Sequence, residues 1–192
     1  LGGEAAHGML ILSPNAVRRL ETYVPPRPLP KLFRMTKGGK LNEKLFEGVT
    51  INTPSMLATE DYLQALEWAA SLGGWRGLKT RSDKSLDILT DWVARTDWIA
   101  FLCEDKSVRS NTGVTFKITD ARVAALTEDD QRAFVKRMMA RLEAENACFD
   151  AGAYAKAPPG LRIWCGGTVE PSDVALLTPW LDWAFGQEAS SL

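Results

Sequence analysis

Gly113-Val114-Thr115-Phe116-Lys117-Ile118 alternates apolar and polar residues. Alternation with a period of two is the mark of a half-buried strand, with Val114, Phe116 and Ile118 on the covered face. Upstream, Trp98 to Leu102 is also strand-like. Downstream, Thr127-Glu128-Asp129-Asp130 reads as a helix start, with Asp in place of the usual Glu of a capping box. That helix is expected to run to about Asn146 and to turn Phe134, Val135, Met138, Met139 and Leu142 inward. After Pro158-Pro159-Gly160 comes a strand, Leu161 to Cys165. A final helix spans about Ser172 to Phe185, and Pro179 is expected to kink or split it. The order strand, strand, helix, strand, helix describes a small α+β domain over residues 97–192, with helices over one sheet.

The earlier residues follow a different plan. Met9 to Leu12 reads as a short buried strand. Ser13-Pro14 supplies a cap and a first-turn proline for a helix over Asn15 to Tyr23. Four prolines between Val24 and Pro30 keep that stretch extended. Lys31 to Thr50 reads as a long loop with one helical turn. A helix from about Thr59 to Leu72 sets Leu63, Leu66 and Ala70 on one face, and Gly73-Gly74 breaks it. A second helix, Trp75 to Thr96, gathers Leu78, Leu86, Leu89, Trp92 and Val93. The overall class is α/β, divided into residues 1–72, a linking helix over 73–96, and 97–192.

Composition removes several functions. With 192 residues and 45% hydrophobic content, the chain can bury a core. Its 23 Lys+Arg against 24 Asp+Glu leave no basic footprint for nucleic acid. No apolar run is long enough to cross a bilayer, and no stretch here resembles a secretion signal, so no membrane partner is expected. Cys103, Cys148 and Cys165 never form a C-x-x-C pair, and one histidine cannot complete a metal site with them, so no metal is expected. Free thiols fit a cytoplasmic setting. The seven tryptophans read by default as core. A chain so poor in histidine, if an enzyme, leaves the hard chemistry to a cofactor.

Two places could hold an anion. Asn52-Thr53-Pro54 precedes a helix and offers an amide, a hydroxyl and free backbone N–H groups, which suit a phosphate as well as a simple cap by Thr53 or Ser55. Arg162 lies inside the apolar run Leu161-Arg162-Ile163-Trp164. Its guanidinium either follows strand alternation to the solvent face or grips a carboxylate. Thr36-Lys37-Gly38-Gly39-Lys40 lacks the spacing of a phosphate loop and reads as a solvated turn.

Five blocks in order carry a more specific signal: Leu1-Gly2-Gly3-Glu4-Ala5-Ala6-His7-Gly8, Lys31 to Lys40, Ile51-Asn52-Thr53-Pro54-Ser55-Met56, Arg109-Ser110-Asn111-Thr112, and Pro159 to Trp164. Together they resemble the C-terminal half of the phosphoserine aminotransferase family. The resemblance implies a fold-type-I, pyridoxal 5'-phosphate (PLP) transaminase working as a homodimer. The chain would then comprise the end of a large domain and a complete small C-terminal domain. The implied reaction moves an amino group between glutamate/2-oxoglutarate and phosphoserine/3-phosphohydroxypyruvate in serine biosynthesis. The resemblance further implies that Asn52 and Thr53 reach the cofactor phosphate of the neighbouring subunit, and that Arg162 binds a substrate carboxylate. Lys156 matches a basic position for the substrate phosphate, while Arg34, Lys37, Lys40 and His7 are further site-lining candidates.

In the family the Schiff-base lysine stands immediately upstream of the Gly-Gly-Glu segment, which here means before Leu1. The chain also starts without an initiator Met, so it is expected to be a piece of a longer enzyme. Its residues from about 97 onward are expected to fold by themselves, and its first part to depend on a partner or on missing strands. The other reading is a non-catalytic small-molecule-binding or interaction domain on a transaminase-derived scaffold; the length of the native protein separates the two. Without that lysine the chain alone is expected to be inactive. Borohydride treatment of the chain in the presence of PLP should fix pyridoxyl on no single lysine; one specific labelled site, found by peptide mass mapping, would overturn this.

Overall fold

A computed structural model describes residues 8–192. The chain forms two compact units, the boundary falling between Trp68 and Ala69. His7 lies outside the described residues.

In the first unit, α1 (Pro14–Thr22) starts as its sequence dictates: Ser13 Oγ accepts from the Ala16 N–H at 3.2 Å, with proline in the first turn. The expected long loop is better organised than its composition suggests. It contains two short 3-10 turns, Lys31–Phe33 and Glu43–Phe46, around a hairpin of β1 (Thr36–Lys37) and β2 (Lys40–Leu41). Gly38 and Gly39 close the hairpin with φ of +61° and +75°, the doubly left-handed turn that glycine adopts most readily. Glu21 of α1 binds this hairpin, accepting from the Leu41 N–H at 3.1 Å and from Lys40 Nζ at 3.2 Å. These bonds, the backbone one foremost, hold the Glu21 carboxyl below its ordinary pKa.

Two expectations fail in this unit. Met9 to Leu12 is not a strand: it has no ladder partner among the described residues, and Met9, Leu10 and Ile11 are exposed. A strand needs a neighbour to take its backbone groups, and apolar character alone cannot supply one. The helix α2 (Met56–Ser71) forms, yet Leu63 and Leu66 on its apolar stripe stay exposed and Ala69 is its one buried residue.

The second unit, Ala69–Leu192, has a closed core. It takes in the long helix α3 (Gly74–Ala94), assigned from the sequence as a link, together with β3 (Ile99–Phe101), β4 (Gly113–Ile118), a short α4 (Ala121–Ala124), α5 (Glu128–Ala144), β5 (Leu161–Trp164) and α6 (Pro171–Ala189). The sheet order is β3-β4-β5, antiparallel throughout, with Phe101 opposite Phe116 and Thr115 opposite Arg162. Val114 and Phe116 are buried as alternation requires. They join Leu89 and Trp92 from α3, Phe134, Met138 and Leu142 from α5, and Leu181 and Phe185 from α6. Helix α6 packs against both α3 and α5. Gly160 is required at the start of β5, because a Cβ there would lie 2.0 Å from the Phe116 carbonyl oxygen.

Local chemistry refines the helix ends. Thr127 caps α5, its Oγ1 accepting from the Asp130 N–H at 3.2 Å. Asp130, a methylene shorter than the Glu of a full box, instead accepts from the Thr127 hydroxyl at 2.7 Å. Pro179 does not split α6, which runs on to Ala189. The proline removes the N–H that would serve the Ala175 carbonyl, and Thr178 Oγ1 donates to that carbonyl instead at 3.1 Å. Among the tryptophans only Trp92 and Trp98 are buried; Trp68, Trp75, Trp164, Trp180 and Trp183 stay exposed in part or largely, against the core reading.

Both buried indoles donate to one carboxylate on α6. Trp92 Nε1 lies 3.1 and 3.2 Å from the two Asp182 oxygens, and Trp98 Nε1 lies 2.9 Å from Oδ1. Asp182→Ala should therefore leave two buried donors unserved and cost about 2–4 kcal/mol, read as a lower denaturant midpoint. A loss under half a kcal/mol would remove this carboxylate from the core's support.

Glu188, also on α6 and 4% exposed, accepts from Arg137 Nε at 2.7 Å and Arg141 Nε at 2.5 Å. Burial pulls the Glu188 pKa up, but the two guanidinium bonds and charges outweigh it and the net direction is downward. A carboxyl whose folded pKa is depressed stabilises above its unfolded pKa, about 4.3, and loses that contribution as pH falls through the folded value. Glu188→Gln should accordingly destabilise by roughly 1–3 kcal/mol at pH 7, with the gap from the parent chain closing below pH 4. Parallel pH titrations of stability check the convergence.

Candidate functional site

Arg162 enters the second unit on β5, opposite Thr115. Residues 151–153 run along the other edge of that strand. Arg162 N–H donates to the Ala151 carbonyl at 2.8 Å, Ala153 N–H to the Gly160 carbonyl at 3.1 Å, and Gly152 bridges Leu161. This edge segment brings Asp150 and Tyr154 to the Arg162 side chain, which is 15% exposed. Tyr154 lies against the guanidinium, 4.4 Å from ring centroid to Cζ. Asp150 Oδ2 accepts from Nη2 at 3.0 Å, and the Asp150 carbonyl lies 3.4 Å from the same nitrogen. Nε is buried and has no hydrogen-bond partner among the described residues.

That orphan nitrogen is the chemical signal of the site. A buried donor without an acceptor costs about 1–3 kcal/mol and calls for a reason. Arg162 therefore follows the alternation of its strand, between buried Leu161 and Ile163, yet its side chain is largely covered and not fully paired among the described residues. A small cavity of about 30 Å³ beside it, lined by Leu102, Thr115, Tyr154 and Pro158 among others, is large enough to admit water.

The Arg109-Ser110-Asn111-Thr112 block serves the fold around this sheet. The Arg109 guanidinium stacks on Phe101 at 3.6 Å and donates to the Cys103 carbonyl from Nε and Nη2, at 3.1 and 2.9 Å. Asn111 Nδ2 donates to Asp83 of α3 at 2.8 Å. Lys156 is exposed in the turn that follows Tyr154, and no contact joins it to Arg162 among the described residues.

Asn52 and Thr53 belong to the first unit, just before α2. Ser55 performs the capping that sequence left open between it and Thr53, its Oγ accepting from the Ala58 N–H at 3.3 Å. The Asn52 carbonyl accepts from Thr50 Oγ1 at 2.6 Å. The Asn52 amide and the Thr53 hydroxyl remain exposed and unengaged among the described residues. Lys31 Nζ donates to the neighbouring Ile51 carbonyl at 3.3 Å, tying this turn to the second of the ordered blocks.

Arg34 Nε donates to the Leu29 carbonyl at 2.7 Å, and its side chain lines a groove of about 840 Å³ with Arg19, Tyr23, Pro25 and Arg27. Lys37 and Lys40 flank the glycine turn, and Lys40 is paired with Glu21, so that segment is a solvated turn. Asp150 and Tyr154 are the site residues that sequence reading did not assign. Their place beside Arg162 depends on the edge pairing of residues 151–153, which no spacing rule announces.

The sequence is 52% identical over 185 residues to phosphoserine aminotransferase of Methanosarcina barkeri, covering 96% of this chain and 47% of that protein. The Methanosarcina mazei protein of the same name matches with the same identity and coverage. The phosphoserine aminotransferase of a Nocardioides species is 28% identical, over 90% of this chain and 43% of its own length. No family model matches the sequence. Among solved structures, phosphoserine aminotransferase from Bacillus circulans subsp. alkalophilus superposes with a TM-score of 0.57 at 20% identity, over 71% of this chain and 34% of that one. A phosphoserine aminotransferase studied for radiation damage of its Schiff base gives 0.62 at 15% identity, over 88% and 41%. The fold is thus the fold-type-I architecture expected from the ordered motifs, and no helix among the described residues is long and apolar enough to cross a membrane. Over nearly all of its own length this chain is similar, in sequence and in fold, to phosphoserine aminotransferases, and it spans about half the length of the curated relatives it matches.

Proposed function

We propose that this chain supplies the substrate-carboxylate and cofactor-phosphate contacts of a cytoplasmic, homodimeric, PLP-dependent phosphoserine aminotransferase. That enzyme would exchange an amino group between glutamate and 3-phosphohydroxypyruvate. The observation that carries the reading is the Arg162 guanidinium, held against Tyr154 with a buried Nε that nothing among the described residues satisfies. A planar guanidinium offers parallel N–H groups that match the two oxygens of a carboxylate, a geometry an ammonium cannot copy.

The residues before α2 fit the cofactor. With Ser55 engaged as cap, the Asn52 amide and Thr53 hydroxyl are free to donate to a phosphate, next to the positive end of the α2 dipole. PLP, when bound, supplies the electron sink that amino-group transfer requires. This chain's part is binding and orientation: Asn52 and Thr53 on the cofactor phosphate, and Arg162 on the carboxylate that every amino-acid substrate shares. Lys156 is the cation proposed for the substrate phosphate, Arg34 and His7 are proposed only to line the substrate site, and residues 1–72 are the proposed contribution to the PLP-binding domain.

The whole enzyme tests the assignment. Arg162→Lys keeps the charge but loses the fork, and is expected to lower kcat/KM for glutamate about 10- to 100-fold, in line with the loss of a charge-assisted hydrogen bond. Wild-type kcat/KM in the variant would take Arg162 out of substrate binding.

A further inference from the structure

The partners of Arg162 point to a second role at the same site. A carboxylate that grips a guanidinium side-on takes the N–H groups of Nε and Nη2 together. Here that edge is half used. Nη2 donates to Asp150 Oδ2 at 3.0 Å while Nε, beside it, is buried and unserved. The Asp150 carboxylate thus does part of what a substrate carboxylate would do. Its side chain is 88% exposed, and its backbone, at φ +55°, turns into the edge segment that pairs with β5. Nη2 is already held, so an incoming carboxylate takes both nitrogens of that edge only when the side chain on Nη2 swings aside. Asp150 is the neighbour that can: it faces solvent, and its pairing with Arg162 is a single bond at the rim of the protein. Tyr154, on the face of the guanidinium, holds the plane of the fork while the edge changes partner.

We propose that Asp150 is a resident counter-carboxylate of Arg162, which the substrate carboxylate must displace, so that Asp150 sets the affinity of the site for carboxylates. This rests on the reading of Arg162 as the substrate-carboxylate fork. It makes Asp150 a specificity-determining residue that acts through Arg162 and stabilises the unliganded arginine at the expense of substrate affinity. Removing its charge takes away both a competitor and a repulsive neighbour of the incoming anion.

The holoenzyme of the whole protein provides the test, with glutarate as a non-reacting dicarboxylate probe. Asp150→Asn should lower the glutarate dissociation constant measured by calorimetry, and KM for glutamate, about two- to fivefold, with the change falling on KM more than on kcat. Asp150→Glu should return both constants toward wild type. Because Asp150 is exposed, neither variant should alter the melting temperature by more than a few degrees. Unchanged or weaker glutarate binding in Asp150→Asn would overturn the proposal. The parallel Arg162→Lys variant separates the two failures. If it weakens glutarate binding while Asp150→Asn changes nothing, the counter-carboxylate role alone is lost. If Arg162→Lys also leaves glutarate binding intact, the reading of Arg162 falls with it.

Discussion

One carboxylate, Asp182, anchors the core of the second unit. It accepts from Trp92 on α3 and from Trp98 at the entrance to β3, and it stands on α6. Both indoles are almost wholly buried, and an indole in a core requires an acceptor for its one N–H. Other rings are arranged from this point. Trp98 stacks on Phe185 with centroids 4.3 Å apart, and Trp92 meets Trp98 and Phe116 edge-on at 5.7 and 5.8 Å. Phe185 in turn meets Phe134 of α5 at 5.9 Å. One polar residue thus fixes where α6 lies relative to the sheet, and the apolar packing completes what it begins. The reverse order would not work, since hydrophobic burial is non-directional and cannot choose among rotations of α6.

The site depends on that arrangement through the sheet. Phe116 touches Trp92 on one side, and its carbonyl approaches Gly160 so closely that no side chain fits there. Gly160 opens β5, and two residues later the strand delivers Arg162. The guanidinium is therefore positioned by strand register, a rigid reference, rather than by the loop that precedes it. The loop's contribution is lateral: residues 151–153 cover the β5 edge, bringing Asp150 and Tyr154 alongside.

What could be read from sequence follows from where each element finds its partners. The elements of the second unit were legible because their apolar periods are satisfied within the unit; β4 has the bounds its alternation suggests, and the inward residues of α5 are those its spacing selects, Met139 less deeply than the rest. Met9 to Leu12 was not, because a strand is a relation between segments and no described segment forms a ladder with it. Pro179 leaves α6 unsplit for a different reason. The break it threatens is repaired by the hydroxyl of the residue before it, and such repair depends on a rotamer. The tryptophans misled because size and apolarity do not guarantee a place inside, and Trp180 and Trp183 pair with each other at 5.5 Å on the outer side of α6. At the site, Arg162 stood out as a charge within an apolar run and Asn52-Thr53 as donors before a helix. Their ligands came from the resemblance alone. Asp150 and Tyr154 could not be assigned, because a counter-ion twelve residues away becomes a neighbour only through the edge pairing.

The two proposed anion contacts rest on different physical footing. Arg162 belongs to a unit whose core is closed, so the fork is held by packing that the chain itself contains. Asn52 and Thr53 belong to a unit in which Met9, Leu10, Ile11, Leu32, Phe33 and Phe46 remain exposed. A surface that leaves so many large apolar residues in water is unfinished unless something covers it. A contact held by a completed core keeps its geometry without a ligand, and binding there has little ordering to overcome. A contact on an uncovered unit must have part of its surroundings ordered by whatever completes it. The carboxylate half of the proposed site is thus separable from the cofactor half: the first is a property of the fold of residues 69–192, and the second depends on whatever covers the apolar surface of the residues before them.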